Sequence, residues 1–242
     1  MEKEGYSKEF GAAVNITSST TGLVIPPSNT LIVYSLASGG VSIAALFLAG
    51  YIPGILTGLL MMIVAMVWAK KNKYPVGKRS SLKEVFVKFI DAMPSLLLLV
   101  IVIGGIIGGV FTATEASAVA VLYTVLLSFY YKELSLKDLP KVILESSQTT
   151  AIVMLLIGAS MCMSWVLSYE NIPQDISNAL LSISDNKIII LFMINLILLM
   201  VGVFMDATPA VLIFTPIFLP IVTALGMDPT HFGIVLMLNL CI

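Results

Sequence analysis

Two adjacent prolines, Pro26 and Pro27, interrupt an apolar stretch between Gly22 and Asn29 that is otherwise suited to crossing a bilayer. Proline has no backbone N–H and clashes with the preceding turn, so the carbonyls before the pair lose their helical partners. Hydrocarbon supplies no water to replace those bonds, so such a break is stable only where it lines a cavity or binds a ligand. Freed carbonyls and hydroxyls suit a cation, whereas the N-terminus of a half-helix that starts near Ser28 suits an anion. The alternative is a proline kink that only shapes packing.

The composition predicts that most of the chain lies in a membrane. Hydrophobic residues make up 58% of the 242 residues and charged residues 11%, whereas a soluble domain has about 25% charged residues. At about 20 residues per crossing, the apolar runs predict an all-α polytopic membrane protein with roughly six to eight passes or half-passes in the lipid bilayer. No basic cluster of the kind that binds nucleic acid stands out, so nucleic acid is not expected as a partner.

The chain carries none of the sequence patterns of common enzymes. It has no His-Glu-x-x-His, Gly-x-Ser-x-Gly or phosphate-binding loop, and His231 is its one histidine. Cys162 and Cys241 lie far apart within apolar runs, so neither a disulfide nor a zinc site is expected. The sequence therefore predicts that the protein is not an enzyme and needs no cofactor.

Charges and turn signals divide the chain into four segments. They are the broken helix at 1–40, a connecting span with a basic loop and an interfacial helix at 41–92, a re-entrant hairpin at 93–132, and the remaining spans at 133–242.

The second segment has signals for two helices and a loop. Ser42 is expected to cap a short apolar helix that leads into a span over about 52–69. A Ser-Leu-Lys-Glu capping box at 81–84 predicts a separate interfacial helix. The positive-inside rule places the loop in the cytoplasm, because basic residues are densest there. They are Lys70, Lys71, Lys73, Lys78, Arg79, Lys83 and Lys88.

The third segment consists of two apolar arms around the polar turn 111–115. Each arm has about 16 to 18 residues, which is marginal for a full crossing. Basic residues flank both outer ends, so a hairpin that re-enters the cytoplasmic face is predicted. Two short, tilted spans are the alternative. Glu115 at the tip needs partners at membrane depth, so it either caps the second arm or takes part in an ion site.

The fourth segment combines regular and irregular signals. A polar run at 145–150 is expected to interrupt a long segment over 139–168, and an amphipathic helix from about 172 is expected to lie along the interface. A regular span is predicted over 187–205, followed by an irregular one over 207–225 that contains three prolines.

A weak internal repeat relates the two ends of the chain. Residues 5–12 align loosely with residues 226–233, and the predicted crossings place the two segments on opposite faces of the membrane. This is the pattern of an inverted-topology repeat. A second break would then follow Ile242, so the chain is expected to be a piece of a longer protein.

Three motifs together resemble the large membrane subunit of tripartite ATP-independent periplasmic (TRAP) transporters, the DctM family. They are Gly-x-x-Ile-Pro-Pro-Ser at 22–28, Gly-Val-Phe-Thr-Ala-Thr-Glu-Ala at 109–116, and Gly-Val-Phe-Met-Asp at 202–206 with Pro216 and Pro220 after it. The resemblance covers the whole chain, although Ala113 stands where the family more usually has proline. It implies an elevator-type secondary transporter core with discontinuous helices, in the bacterial inner membrane. It also implies sodium-driven import of a small carboxylate from a periplasmic binding protein, with a small four-helix membrane subunit as partner.

The resemblance further implies where ions and substrate bind. The predicted sodium ligands are Ile25, Pro26, Ser28, Asn29, Gly109, Thr112 and Thr114. The predicted substrate-binding residues are Ser18, Ser19, Thr20, Thr21, Pro27 and Glu115. Segments 34–40 and 48–54 look closest to sialic-acid members, with a C4-dicarboxylate as the alternative substrate. Two other functions remain open: a sodium- or proton-coupled anion transporter of the same architecture without a binding protein, and a structural membrane subunit that docks a partner.

Overall fold

The computed structural model describes residues 5–75, 81–183 and 186–242, and all regular elements in these ranges are helices. They are α1 (Lys8–Val24), α2 (Asn29–Ala37), α3 (Ile43–Lys71), α4 (Leu82–Ile107), α5 (Ala113–Tyr130), α6 (Leu139–Tyr169), α7 (Ile172–Ile183), α8 (Lys187–Phe204), α9 (Ala207–Ala224) and α10 (Pro229–Cys241). By length and composition, six of the described helices could cross a membrane: α3, α4, α5, α6, α8 and α9. The predicted all-α polytopic class is confirmed.

The chain divides into two compact units, and the division falls inside α6. The first unit comprises Met1–Tyr74 and Val153–Ile242. Its buried side chains are concentrated on α9 and α10, with α2 packed on α9 and α8 packed on α10. The contact between α8 and α10 is polar at one point, because Asn239 Nδ2 donates to Asn195 Oδ1 over 2.6 Å.

The second unit, Pro75–Ile152, contains the hairpin of α4 and α5. The two arms pack along each other, and the Tyr123 hydroxyl of α5 donates to the Pro94 carbonyl of α4 over 2.6 Å. The capping box at the start of α4 is formed as predicted, with the Ser81 N–H donating to the Glu84 carboxylate. Whether the hairpin re-enters one face or crosses as two spans stays a prediction, as do the four segment boundaries.

Two expected interruptions in the first half of the chain are absent from the described structure. The predicted short helix after Ser42 and the span that follows it form one helix, α3, which continues through Pro53. The predicted interfacial helix and the first hairpin arm likewise form one helix, α4, which contains Pro94. A proline inside an apolar helix frees only one or two carbonyls, and nearby hydroxyls or bonds from other helices can satisfy them. Pro53 and Pro94 free the carbonyls of Ala49 and Ile90 in this way. The prolines' own carbonyls also accept side-chain hydrogen bonds, from Thr57 for Pro53 and from Tyr123 for Pro94.

Two further interruptions were predicted in the second half, and both predictions were wrong. The polar run at 145–150 stays helical within α6, because Ser147, Thr149 and Thr150 donate their hydroxyls to carbonyls four residues earlier. The span with three prolines is one regular helix, α9, and Asp206 stands at its N-cap. The local polar and proline signals in the sequence therefore predicted more helix interruptions than the structure contains.

The amphipathic helix from residue 172 is confirmed as α7, which packs against α9. Ile172 and Ile176 on its apolar stripe are half-buried, whereas Ile183 is exposed. The side chain of Leu180, also on that stripe, lies outside the described part of the chain. So do Lys78 and Arg79 of the predicted basic loop. Neither the interfacial position of α7 nor the cytoplasmic position of the loop is tested, and both stay predictions.

The two segments of the proposed repeat have the same local structure. Gly5 and Gly226 both have positive φ, at 87° and 77°. Each is followed two residues later by a helix N-cap, in which Ser7 accepts from a backbone N–H of α1 and Asp228 accepts from N–H groups of α10. Left-handed backbone at both glycines favours the aligned register, because other residues rarely adopt it. The inverted topology stays a prediction.

Candidate functional site

The predicted helix break lies between α1 and α2, at residues 25–28. Pro26 is buried and Pro27 is exposed, and the peptide bond between them is cis. Because neither proline has an N–H, the carbonyls of Gly22 and Leu23 lose their α-helical donors. The last helical bond before the break runs from the Ile25 N–H to the Thr21 carbonyl, over 2.8 Å. The break therefore leaves two backbone carbonyls at the end of α1 without helical donors.

Ser28 connects the two half-helices. Its hydroxyl donates to the Leu23 carbonyl and replaces the donor that Pro27 lacks. The same oxygen accepts from the Leu31 N–H over 3.4 Å and caps α2. The side chain is only 2% exposed. Ser28 thus has a structural role in the break in addition to its predicted role as a sodium ligand, and the Gly22 carbonyl is a second possible ligand that the sequence prediction did not include.

The break combines two helix ends of opposite polarity. The carbonyls at the end of α1 carry partial negative charge, and the first N–H groups of α2 carry partial positive charge. Asn29 is the first residue of α2 and is exposed, whereas Thr30 is buried. A cation at the carbonyls and an anion at the N–H groups would each be stabilised by the nearer helix end.

Three glycines of α3 pack against the end of α1, and the sequence interpretation did not assign them a role. A Cβ atom on Gly50 would lie 2.5 Å from the Val24 carbonyl oxygen, and one on Gly54 would collide with the Ile25 side chain. At Gly58 the nearest atom, on Thr21, would be at an ordinary 3.6 Å. The signal that could have found them is the spacing of four, which brings small residues to one face of a membrane helix.

The polar run Ser18–Thr21 lies on α1, before the break. Each hydroxyl donates to the carbonyl three residues earlier, over 2.7 to 3.1 Å. Ser18 and Thr21 line a cavity of about 270 Å³ between α1 and α3. Because the hydroxyl protons are used within the helix, the oxygens present lone pairs, which suit a cation better than a carboxylate in this arrangement.

The hairpin tip is built around a second capping box. The Glu115 carboxylate accepts from the Thr112 N–H and the Thr112 hydroxyl, both over 2.8 Å, and Thr112 Oγ1 accepts from the Glu115 N–H. Gly109 has a φ of 68°, which turns the chain before this cap. Glu115 is exposed, and its contacts match the capping role among the two that the sequence left open.

Thr114 differs from its neighbours at the tip. Its side chain is exposed, and its carbonyl accepts from the Ser117 hydroxyl. Within the described residues its own hydroxyl makes no hydrogen bond, so it could ligate an ion without breaking an existing contact. The tip belongs to the second unit and the break to the first, so a joint site formed by both stays a prediction.

In the described ranges, no three His, Cys, Asp or Glu side chains come close enough together to hold a metal ion. A cation in these ranges would depend mainly on backbone carbonyls, hydroxyls and amide oxygens. Such ligands suit weakly bound, exchangeable sodium better than a resident transition metal.

Comparison with known proteins supports the resemblance seen in the sequence. The family model described as "Tripartite ATP-independent periplasmic transporter, DctM component" matches residues 1–242. A protein named YgiK from Salmonella typhimurium is 57% identical over 242 residues, which cover 100% of this chain and 56% of that protein.

Two further relatives are named for their substrates. The C4-dicarboxylate TRAP transporter large permease protein DctM of Pseudomonas aeruginosa is 39% identical over 241 residues, covering 99% of this chain and 56% of that protein. The sialic acid TRAP transporter large permease protein SiaM of Vibrio cholerae is 37% identical over 243 residues, which cover 100% of this chain and 57% of that protein. The chain thus spans a little over half the length of these relatives.

Proposed function

We propose that this chain, which belongs to the DctM family of tripartite ATP-independent periplasmic transporter components, forms the ion- and substrate-binding part of a permease for small organic anions. It is a multi-pass protein of the bacterial inner membrane. Its family is one of transporters, which fits a protein without enzymatic activity. The observation that carries the proposal is the Pro26–Pro27 break, where two helix ends of opposite polarity meet inside an apolar unit.

The proposed coupling ion is sodium. The Gly22 carbonyl, the remaining lone pair of Ser28 and the Asn29 side chain supply hard oxygen ligands near the break, and the exposed Thr114 hydroxyl supplies one at the tip. Cotransport of more sodium charge than anion charge would move net positive charge inward. Each net charge gains about 2.3 kcal/mol per 100 mV of membrane potential.

The proposed substrate is a small carboxylate. The two relatives named for C4-dicarboxylate and sialic acid have an acidic substrate in common, and their identities to this chain differ too little to choose between them. A carboxylate would be stabilised by the N-terminus of α2. The family description supports delivery by a periplasmic binding protein and assembly with a small membrane subunit. The proposed small subunit has four helices. An elevator motion of the binding part across the membrane would complete the cycle.

The first experiment tests for specific sodium binding by the full-length permease. Its thermal unfolding is measured in sodium, potassium and choline chloride at equal ionic strength. A ligand that binds only the folded state raises the unfolding temperature in proportion to the logarithm of its concentration once the site is saturated. We expect stabilisation by sodium alone. Equal stabilisation by all three salts would contradict sodium binding.

The second experiment places the ion with single substitutions in the same protein. Asn29→Ala and Thr114→Ala each remove an exposed side-chain oxygen. Losing a ligand worth about 1.4 kcal/mol raises the apparent dissociation constant for sodium tenfold. Thr124→Ala is the matched control, because its exposed hydroxyl donates to the Ala120 carbonyl within α5. Ser28→Ala should weaken sodium binding and also lower stability, because Ser28 is buried and bonded. Unchanged sodium dependence in all three site variants would show that the break is only a kink.

A further inference from the structure

A long groove runs between α1 and α3 in the first unit. Its volume is about 770 Å³. Most of its lining is apolar and includes Ala13, Val14, Leu60 and Val64. The smaller cavity that contains Ser18 shares four lining residues with it, so the two are continuous. The deep end lies where the two helices close at the glycines of α3. The groove therefore has one closed end, near the break, and one open end.

The length of the groove matches one leaflet of a bilayer. Its lining on α3 extends from Leu60 to Asn72, which is about 18 Å at 1.5 Å per residue. Half of a hydrocarbon core of about 30 Å is about 15 Å. A transmembrane helix needs the full thickness, so it would fill the groove and then meet the closed end. An acyl chain anchored at the open end would fit the available length.

The open end is polar, whereas the rest of the 770 Å³ groove is apolar apart from Thr17. Ser7, Glu9, Asn72 and Tyr74 line it, and the Tyr74 hydroxyl donates to Ser7 Oγ over 3.0 Å. The ring of Tyr74 lies 5.3 Å from that of Phe10. Tyrosine side chains are enriched at the membrane–water interface. The occupant should therefore have one polar end at the interface and an apolar remainder.

The charges at the open end indicate the chemistry of the polar group. Lys70, Lys71 and Lys73 are exposed beside the lining residues Trp68, Asn72 and Tyr74. Basic residues next to the cytoplasmic end of a membrane helix attract the negative charges of lipid headgroups. Glu9 also lines this end, and its carboxylate favours a cationic group next to the phosphate.

We propose that this groove binds one phospholipid of the cytoplasmic leaflet, with an acyl chain between α1 and α3 and the phosphate at the three lysines. The headgroup is an ethanolamine, whose ammonium donates hydrogen bonds to Glu9. A bound lipid would fill the space between α1, which ends at the break, and α3, and so hold α1 in place beside α3. The proposal does not depend on the transported substrate or on sodium.

The test uses the full-length permease, released from nanodiscs that contain equal amounts of phosphatidylethanolamine and phosphatidylglycerol. Native mass spectrometry then counts the lipids that remain bound. We expect one phosphatidylethanolamine to be retained preferentially. Retention of neither lipid would mean that another segment or subunit covers the groove, and equal retention of both would contradict headgroup recognition. Either result would overturn the proposal.

Two neighbouring alanines offer a matched pair of variants. Ala13 and Ala12 are both exposed on α1, but only Ala13 lines the groove. Ala13→Phe should lower lipid occupancy about tenfold, whereas Ala12→Phe should leave it unchanged. Glu9→Gln should remove the preference for phosphatidylethanolamine while retaining a bound lipid, and Glu133→Gln, an exposed loop residue, is its control. Equal occupancy in the two phenylalanine variants would show that the retained lipid lies elsewhere.

Discussion

The hydroxyl of Tyr34 on α2 donates to the carbonyl of Pro229, the first residue of α10, over 2.6 Å. The tyrosine is fully buried, and its ring lies against Gly233, where a Cβ atom would be 2.5 Å from Cε1. This contact joins the half-helix that follows the break to the helix that the internal repeat aligns with α1. The position of α2, and with it the N-terminus that faces the break, therefore depends on α10.

Removing that hydroxyl should destabilise the first unit modestly. Tyr34→Phe loses one buried hydrogen bond, which is worth about 1 kcal/mol. Gly233→Ala should cost more, because the tyrosine ring must move to admit a methyl group. Thermal unfolding of the full-length protein in detergent measures both effects. Tyr130→Phe, at a residue that is 76% exposed, should leave stability unchanged. An equal effect at Tyr130 would mean that the contact with Pro229 is not what stabilises α2.

The glycines of α3 should tolerate alanine in a graded order. Gly50→Ala brings a methyl group to 2.5 Å from a backbone oxygen of α1, so the helices must separate, at a cost of about 1–3 kcal/mol. Gly58→Ala makes only an ordinary contact, and its greater helix propensity should stabilise by up to about 1 kcal/mol. Unfolding of the two variants, measured in parallel, should therefore move in opposite directions. Similar stability losses at both positions would contradict the close approach at Gly50.

The sequence predicted the helix break well because its cause is local. Two prolines remove two donors wherever they stand, so α1 ends and α2 begins close to the expected residues. The capping boxes at Ser81 and Thr112 are local in the same sense, since each involves side chains three residues apart. Such features depend on covalent chemistry and short-range geometry, which the sequence contains directly.

The continuity of the other helices could not be predicted from local signals. Inside α4, the Pro94 carbonyl accepts a hydrogen bond from Tyr123, which lies 29 residues later in the chain. The roles of Gly50 and Gly233 depend on which helices pack together, and Tyr34 acts on a residue 195 positions away. A single sequence does not reveal such pairings. The bond from the Ser28 hydroxyl to the Leu23 carbonyl was likewise not part of the sequence prediction.

We expect the stability of the fold to depend on pH through Asp228, the N-cap of α10. Hydrogen bonds from the Thr230 side chain, and then from the Thr230 and His231 N–H groups, lower its pKa below the ordinary 3.8. A carboxyl with a lowered folded pKa stabilises the fold above its unfolded pKa of about 3.9, and this contribution is lost as the pH falls through the folded value. Acid should therefore weaken the cap.

Substitution separates the charge of Asp228 from its capping role. Asp228→Asn and Asp228→Ser keep a capping oxygen but do not titrate, so stability should fall less steeply between about pH 5 and pH 2 than in the parent protein. Asp228→Ala should lose the cap at every pH. Urea unfolding across this pH range measures the slopes. A parent-like slope in the asparagine variant would assign the acid sensitivity to another group.

The two arrangements left open for the hairpin of α4 and α5 differ at the tip. If the hairpin re-enters from the cytoplasm, Val110, which is 70% exposed in its unit, lies at membrane depth. If the arms are two full spans, the same residue reaches the periplasm. A single cysteine at Val110, in a full-length protein without its native cysteines, should therefore resist a membrane-impermeant thiol reagent applied from outside.

A cysteine at Lys137 should resist the reagent as well, because the positive-inside rule places this residue in the cytoplasm. It should react once the cytoplasmic face is opened. External labelling at Val110 with protection at Lys137 would establish two crossings, and external labelling at Lys137 would overturn the assigned orientation of the hairpin.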